Sequence, residues 1–172
     1  MAQIDIRYLN YSDVQALALT DAEIVAAVEQ GLLAQGRGEA VIEPRMHLVP
    51  EKDYPGHFNV LRGYIRPLGL AGFKLCGDYY RNYEVGLPSE LAVLTLHDPK
   101  TGAPVAIIDA SDLTDMRTGA VTAIGAKHLA RRHVAVACTF CRCVSQAEVS
   151  QFRRKIRSCA RHSSSSRGSQ PK

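Results

Sequence analysis

Residues 104–132, PVAIIDASDLTDMRTGAVTAIGAKHLARR, read as a strand feeding a long helix, and the rest of the chain can be arranged around that unit. Pro104 to Ala110 is dense in Val, Ile and Ala, as a buried strand is, and Ser111 or Asp112 offers an oxygen to cap the turn that follows. Arg117 then falls early in the helix, near free backbone donors and the positive end of the dipole, a field that suits an anion such as a carboxylate. Gly119, Ala120, Ala123, Gly125, Ala126 and Ala130 keep the helix surface low. Pattern alone leaves two readings open: a tightly packed Ala-rich core helix, or a helix that another backbone or a flat ligand approaches closely. Each mid-helix glycine costs about 1 kcal/mol against alanine in either case.

A chain of 172 residues is long enough for one domain with a real core and too short for two of ordinary size. Its net charge of +4 hides an asymmetry. Residues 1–132 carry 13 Lys/Arg against 16 Asp/Glu, whereas residues 133–172 carry 8 against 1. Cysteine divides in the same way, with Cys76 alone in the first part and Cys138, Cys141, Cys143 and Cys159 in the second. The odd total argues against a complete disulfide framework. The start, MAQIDIRYLN, lacks the basic and apolar regions of a secretion signal, and no uncharged run is long enough to span a bilayer, so a cytoplasmic location and no membrane partner are the expectation.

In chain order, Ile4, Ile6 and Tyr8 alternate as in a short edge strand, and Ser12 and Asp13 open a first helical turn. Thr20 caps a helix over Asp21 to Gln35, whose Ile24, Val25, Val28, Leu32 and Leu33 form an apolar stripe and which ends at Gly36 or Gly38. Val41 to Val49 is extended, because Pro44 excludes a helix interior; Arg45 and His47 share one face of it. Phe58 to Pro67 and Leu70 to Cys76 are two strands joined around Pro67 to Gly69. Lys74 sits inside the second, where a lysine either snorkels outward or is held beside an anionic ligand. Gly77 to Glu90, with three tyrosines, is a loop that faces a ligand or is merely structural. Leu91 to Leu96 and Pro104 to Ala110 form a hairpin around Asp98-Pro99-Lys100-Thr101-Gly102.

The segments PRMHL, GFKLCGDYYRNYEVGLPSE and LTLHDPKTGAPVAIIDASDLTDMRTGAVTAIGAKHLAR resemble the ornithine cyclodeaminase and mu-crystallin family, over roughly residues 3–132. The resemblance implies an α+β fold, a mixed β-sheet with flanking helices, that serves as a substrate and dimerisation domain ahead of a Rossmann domain binding NAD or NADP. It implies that Arg45, Lys74 and Arg117 hold the carboxylate and reacting centre of a small amino-acid substrate, with Lys74 also catalytic. It places Ser89 and Thr118 against the dinucleotide and suggests a homodimer. The implied chemistry is a hydride shuttle in which the amino acid is oxidised at Cα, cyclised with loss of ammonia and reduced again; relatives stop earlier as amino-acid dehydrogenases or imino-acid reductases. The cofactor supplies the hydride chemistry in each case.

Beyond residue 132 the reading departs from the family. Residues 133–172 contain Gly168 as their only glycine, so no G-x-G turn can approach a pyrophosphate there. The abrupt shift to Cys, Arg and Ser suggests a disordered basic tail, with a shifted reading frame after codon 132 as the leading explanation and a genuine alternative tail as the other. A structural zinc site on Cys138, Cys141, Cys143, Cys159 and His162 lacks a second well-spaced pair, so no metal is expected. A basic Ser-rich arm can bind nucleic acid nonspecifically, but with only Phe140 and Phe152 to stack it has little else to offer, and no nucleic-acid partner is expected. The expectation is therefore a family member truncated before its dinucleotide domain, inactive alone and not itself binding NAD(P); the alternative is a noncatalytic dimerising or amino-acid-binding protein.

Overall fold

The computed structural model describes residues 3–130; the readings that concern the tail, including the zinc and nucleic-acid alternatives, lie outside the described residues. The chain divides into two units: one holds the chain up to Leu19 together with Gln30–Thr114, the other Thr20–Glu29 and the chain from Asp115 onward.

The first unit is built on a seven-stranded mixed sheet of β1 (Arg7–Leu9), β2 (Ala40–Ile42), β3 (Met46–Leu48), β4 (Gly56–Ile65), β5 (Leu70–Tyr79), β6 (Glu90–His97) and β7 (Pro104–Asp109). The order is β1-β7-β6-β5-β4-β2, with β3 also paired to β4. β4 to β7 form an antiparallel meander, and β1 adds in parallel to β7 through Arg7 opposite Ala106. The turn between β4 and β5 is a short 3-10 turn, Arg66–Leu68, closed by Gly69 with φ 59°. Helix α1 (Tyr11–Ala16) leaves β1 through a capping box, Asn10 accepting from the Asp13 amide and Asp13 from the Asn10 amide.

Two extended boundaries differ from the expectation. Val41 to Val49 is broken into β2 and β3, and the register along β4 slips by one residue between them: Ile42 faces Gly63, while Met46 faces Val60. The residues around Pro44 absorb the extra position, so the side of the sheet reached by even-numbered residues reverses. The expected loop from Gly77 is shorter than anticipated, because Gly77–Tyr79 continue β5 and Glu90 already opens β6. Between them a 3-10 turn, Asn82–Val85, ends at Gly86 with φ 74°, and Asn82 Nδ2 donates to the Pro88 carbonyl at 2.8 Å.

The two sheet faces are unlike. One carries Cys76, Ala92 and Ala110, the buried core against which Leu94 and Leu113 pack. The other presents Met46, Leu48, Phe73, Leu75, Leu91 and Val93, all exposed, over a concavity of about 520 Å³ whose lining includes Phe58, Leu75, Tyr79 and Val93.

Helix α2 (Asp21–Gly36) begins in the second unit and ends in the first; α3 (Ser111–Leu129) does the reverse. At its start, Thr20 and Glu23 form the expected cap reciprocally: the Thr20 hydroxyl accepts from the Glu23 amide, and Glu23 accepts from the Thr20 amide and hydroxyl. At its end, Gly38 at φ 70° closes a Schellman turn, with Glu39 N donating to Ala34 O and Gly38 N to Gln35 O. The expected stripe is only partly realised, since Ile24 is buried and Leu32 and Leu33 are exposed. Within the second unit Lys127 and His128 both reach Glu29, at 2.9 and 2.7 Å. Ala120 and Ala123 are fully buried there, in keeping with the low helix surface.

Candidate functional site

Lys74 lies in the middle of β5, opposite Leu61 of β4 and Leu94 of β6, on the covered face of the sheet. An ammonium surrounded by aliphatic strand residues must find acceptors, because an unpaired buried charge is costly. It finds two. Its Nζ donates to Thr114 Oγ1 at 2.9 Å and stands 3.5 Å from Glu90 Oε1. Its side chain is 15% exposed, so the snorkelling alternative does not describe it.

Both acceptors are fixed by the fold. Thr114 is in the first turn of α3, 3% exposed, and its hydroxyl donates to the Ala110 carbonyl at 2.7 Å, which leaves its oxygen lone pairs for Lys74. Glu90 is the first residue of β6, and its Oε1 also accepts from Cys76 Sγ at 2.7 Å. Burial pushes the Cys76 thiol up to about 11; the Glu90 carboxylate adds to the rise and the Lys74 charge opposes it. A thiol held neutral in this way is a donor and a poor nucleophile at neutral pH. Asn59 lies opposite Cys76 on the same face, 6% exposed, and among the described residues its Oδ1 has no hydrogen-bond partner.

The junction of β7 and α3 is also specified by side chains, though differently from the sequence reading. Ser111 and Asp112 are the first helical residues, and their side chains also reach beyond the helix. Ser111 Oγ accepts from the Ala92 amide at 3.2 Å, and Asp112 accepts from Gln15, tying the helix start to β6 and α1. Asp109 Oδ1 takes the Ser111 amide at 3.0 Å. With two carboxylates at this end, the helix start is less hospitable to an anion than the dipole alone suggested.

The other expected site residues are placed as follows. Arg45 directly precedes β3 and is exposed; its neighbour in that strand, His47, faces Asn59. Ser89 is half-buried just before β6, its carbonyl accepting from the Tyr79 amide at 2.8 Å. Arg117 and Thr118 are exposed on the part of α3 that belongs to the second unit. Among the described residues neither Arg45 nor Arg117 forms an ion pair. The structure thus brings Lys74 together with Glu90, Thr114 and Cys76, three residues that the sequence reading did not assign to a site. In the sequence Glu90 ends a predicted loop, and nothing in strand or helix periodicity links it to Lys74.

The described residues do not fit a dinucleotide by themselves. The strand-to-helix junction at Asp109–Ser111 has no Gly-rich turn, the Ser111 amide is already taken, and Asp109 and Asp112 would repel a pyrophosphate. Among the described residues no group of three or more His, Cys, Asp or Glu could hold a metal ion, and no helix is long and apolar enough to cross a membrane.

Comparison with known proteins places this geometry. Alanine dehydrogenase of Archaeoglobus fulgidus is 34% identical over 128 residues, covering 74% of this chain and 38% of that protein. The solved structure of an archaeal alanine dehydrogenase dimer with bound NAD matches with a TM-score of 0.76 at 28% identity, over 90% of this chain and 45% of that one. The Thermococcus litoralis Δ1-pyrroline-2-carboxylate reductase, solved with NADH and L-proline, matches with a TM-score of 0.70 at 34% identity, over 74% of this chain and 39% of that one. The chain therefore spans less than half the length of these relatives. The family model for ornithine cyclodeaminase/mu-crystallin matches residues 6–158, past the boundary at 132 where the sequence resemblance was placed. With that match covering most of its length, and the mixed sheet shared with solved relatives, the chain belongs to the ornithine cyclodeaminase/mu-crystallin family.

Proposed function

We propose that this chain supplies the amino-acid side of an NAD(P)-dependent site that acts on an amino or imino acid, in the manner of a cyclodeaminase, dehydrogenase or reductase. Lys74 binds the substrate carboxylate and stands at the reacting centre, with Arg45 and Arg117 as further carboxylate ligands. The observation that carries the reading is the Lys74 ammonium held on the covered sheet face by Thr114 and Glu90. A fixed cation is what orients a carboxylate so that its Cα hydrogen has a defined direction. Arg45 and Arg117, exposed and without ion pairs among the described residues, are available to do the same. Ser89 and Thr118 are the proposed contacts to the dinucleotide, whose principal cradle is not formed by residues 3–130. In this reading residues 3–130 supply the amino-acid side and do not complete the cofactor side by themselves.

The exposed apolar face of the sheet supports homodimerisation, since a contiguous patch of this kind marks an interaction surface. A noncatalytic dimerising or amino-acid-binding protein is the second reading, favoured by the same face. Two measurements test these readings. Thermal unfolding of the purified chain should shift upward with L-alanine, L-proline or L-ornithine, as ligand linkage requires, and an unshifted transition rules out amino-acid binding. Titration with NADH and NADPH separates them: micromolar affinity with turnover of an amino acid would show a competent enzyme and overturn the noncatalytic reading.

A further inference from the structure

We infer that His47, His57 and Asn59 form a binding site for a divalent transition-metal ion of the zinc class, with the two imidazoles and Asn59 Oδ1 as its ligands. All three residues belong to the first unit and stand on one face of the sheet: His47 of β3 is directly opposite Asn59 of β4, and His57 precedes Asn59 by two positions on the same strand. His47 and His57 are therefore diagonal neighbours, a separation that ring side chains bridge. Their ring centroids lie 5.3 Å apart and their planes are tilted by 46°. Two imidazoles bonded to one tetrahedral ion at about 2.0–2.1 Å place their centroids about 5 Å apart, so the rings already have the spacing that a shared ion imposes. His47 is exposed and free to turn a nitrogen toward that ion.

The hydrogen-bonding of these residues points to the same occupant. Asn59 Oδ1 is buried and without a partner among the described residues, an acceptor that calls for a donor or a cation. Of the four histidines among residues 3–130, His97 and His128 hydrogen-bond to neighbouring residues. His47 and His57, by contrast, make no side-chain hydrogen bond or ion pair among the described residues, and touch each other. The orphan oxygen and the two unengaged imidazoles are thus adjacent. Asp78, directly opposite His57, adds a carboxylate to the same face; it does not complete a set of three His, Cys, Asp or Glu able to hold a metal, so it attracts the ion without bonding it. Imidazole selects zinc, copper and nickel over magnesium and calcium, and zinc accepts three protein ligands with water in the fourth position. Such an ion clips β3, three residues long and paired to β4, against the sheet, and with it Arg45 at the strand's entry.

The test is carbethoxylation of histidines with diethyl pyrocarbonate on the full chain, titrated with Zn2+ and read by peptide mass spectrometry. A readout at each histidine keeps zinc held by cysteines elsewhere in the chain out of the measurement. His47 and His57 should be protected together along one binding curve, about tenfold when the free ion is ten times its midpoint, as mass action requires. His97 and His128 should be unchanged, and Mg2+ should protect none of the four. His47→Ala should remove the protection of His57 at the same Zn2+ concentrations, which two histidines binding independently would not do. Asn59→Ala should raise the midpoint, and Asn59→Asp, which puts a charged oxygen in place of the amide oxygen, should lower it. No protection of His47 and His57 by Zn2+ leaves Asn59 to a water and overturns the site. Equal protection of all four histidines, or undiminished protection of His57 in His47→Ala, also overturns it. An unchanged midpoint in a cooperatively unfolding Asn59→Ala removes Asn59 from the ligand set and overturns the site as drawn. Should the variants of buried Asn59 fail to fold, His47→Ala, at an exposed position, decides alone.

Discussion

Cys76 Sγ and Lys74 Nζ converge on one oxygen of Glu90, at 2.7 and 3.5 Å, so a thiol and an ammonium share a single carboxylate acceptor. The thiol is an acid whose proton is held more tightly in the folded chain, up to about 11 from an ordinary 9.0, chiefly through burial and then through Glu90. Its contribution is complete below pH 9.0 and is lost as pH rises toward 11, because the unfolded chain then binds fewer protons. The loss is at most about 3 kcal/mol. Urea unfolding across this window should show a steeper decline for the wild type than for Cys76→Ala; parallel curves would contradict the assignment.

Gly56 opens β4 where an added Cβ would press on the Asp78 carbonyl and lie 2.7 Å from Tyr79 Cα. Backbone on a paired strand cannot retreat as a flexible side chain can. Gly56→Ala should lower stability by roughly 2 kcal/mol or more, seen as a reduced urea midpoint. Gly125→Ala, with nothing within 4 Å of the added atom, should be neutral or stabilising by up to about 1 kcal/mol in the same experiment.

Thr20→Ala removes the hydroxyl that accepts the Glu23 amide and leaves Glu23 without one of its two donors from residue 20. The expected cost is about 1 kcal/mol, measured by thermal unfolding with the Thr20→Ser variant as the restoring control.

Leu75 and Val93 are directly paired on the exposed sheet face. Leu75→Glu should convert a dimer to a monomer in analytical ultracentrifugation while leaving the Lys74 side of β5 unchanged, since successive strand residues point to opposite faces. A wild-type chain that sediments as a monomer at all concentrations would remove the case for dimerisation through this face.

Much of the fold could be read from local pattern. The hairpin around Asp98–Gly102, the strand before Ser111 and the Thr20 cap all depend on residues within a few positions of each other, and each is present. The exact use of Ser111 and Asp112 was not legible, because their partners, Ala92 and Gln15, come from distant elements. The Asn10–Asp13 capping box was legible in principle, since both residues stand in the required spacing, but the turn was assigned to Ser12 and Asp13. The surroundings of Lys74 illustrate the limit best. Its importance came from a family resemblance, whereas Thr114 and Glu90 reach it only through the pairing of β5 with β6 and the placement of α3. The slip at Pro44 was hidden for a similar reason: proline announces an interruption but does not say which side of the sheet the chain returns to.

The parallel pairing of β1 with β7 has a consequence for how the chain is made. The antiparallel meander from β4 to β7 can zip up hairpin by hairpin as it leaves the ribosome, each strand finding its neighbour just synthesised. Arg7 cannot meet Ala106 until nearly all of the described residues have emerged. Of the described strands, the earliest in the chain therefore waits longest for its partner, and until it docks the edge of β7 stays open to any other strand that arrives first.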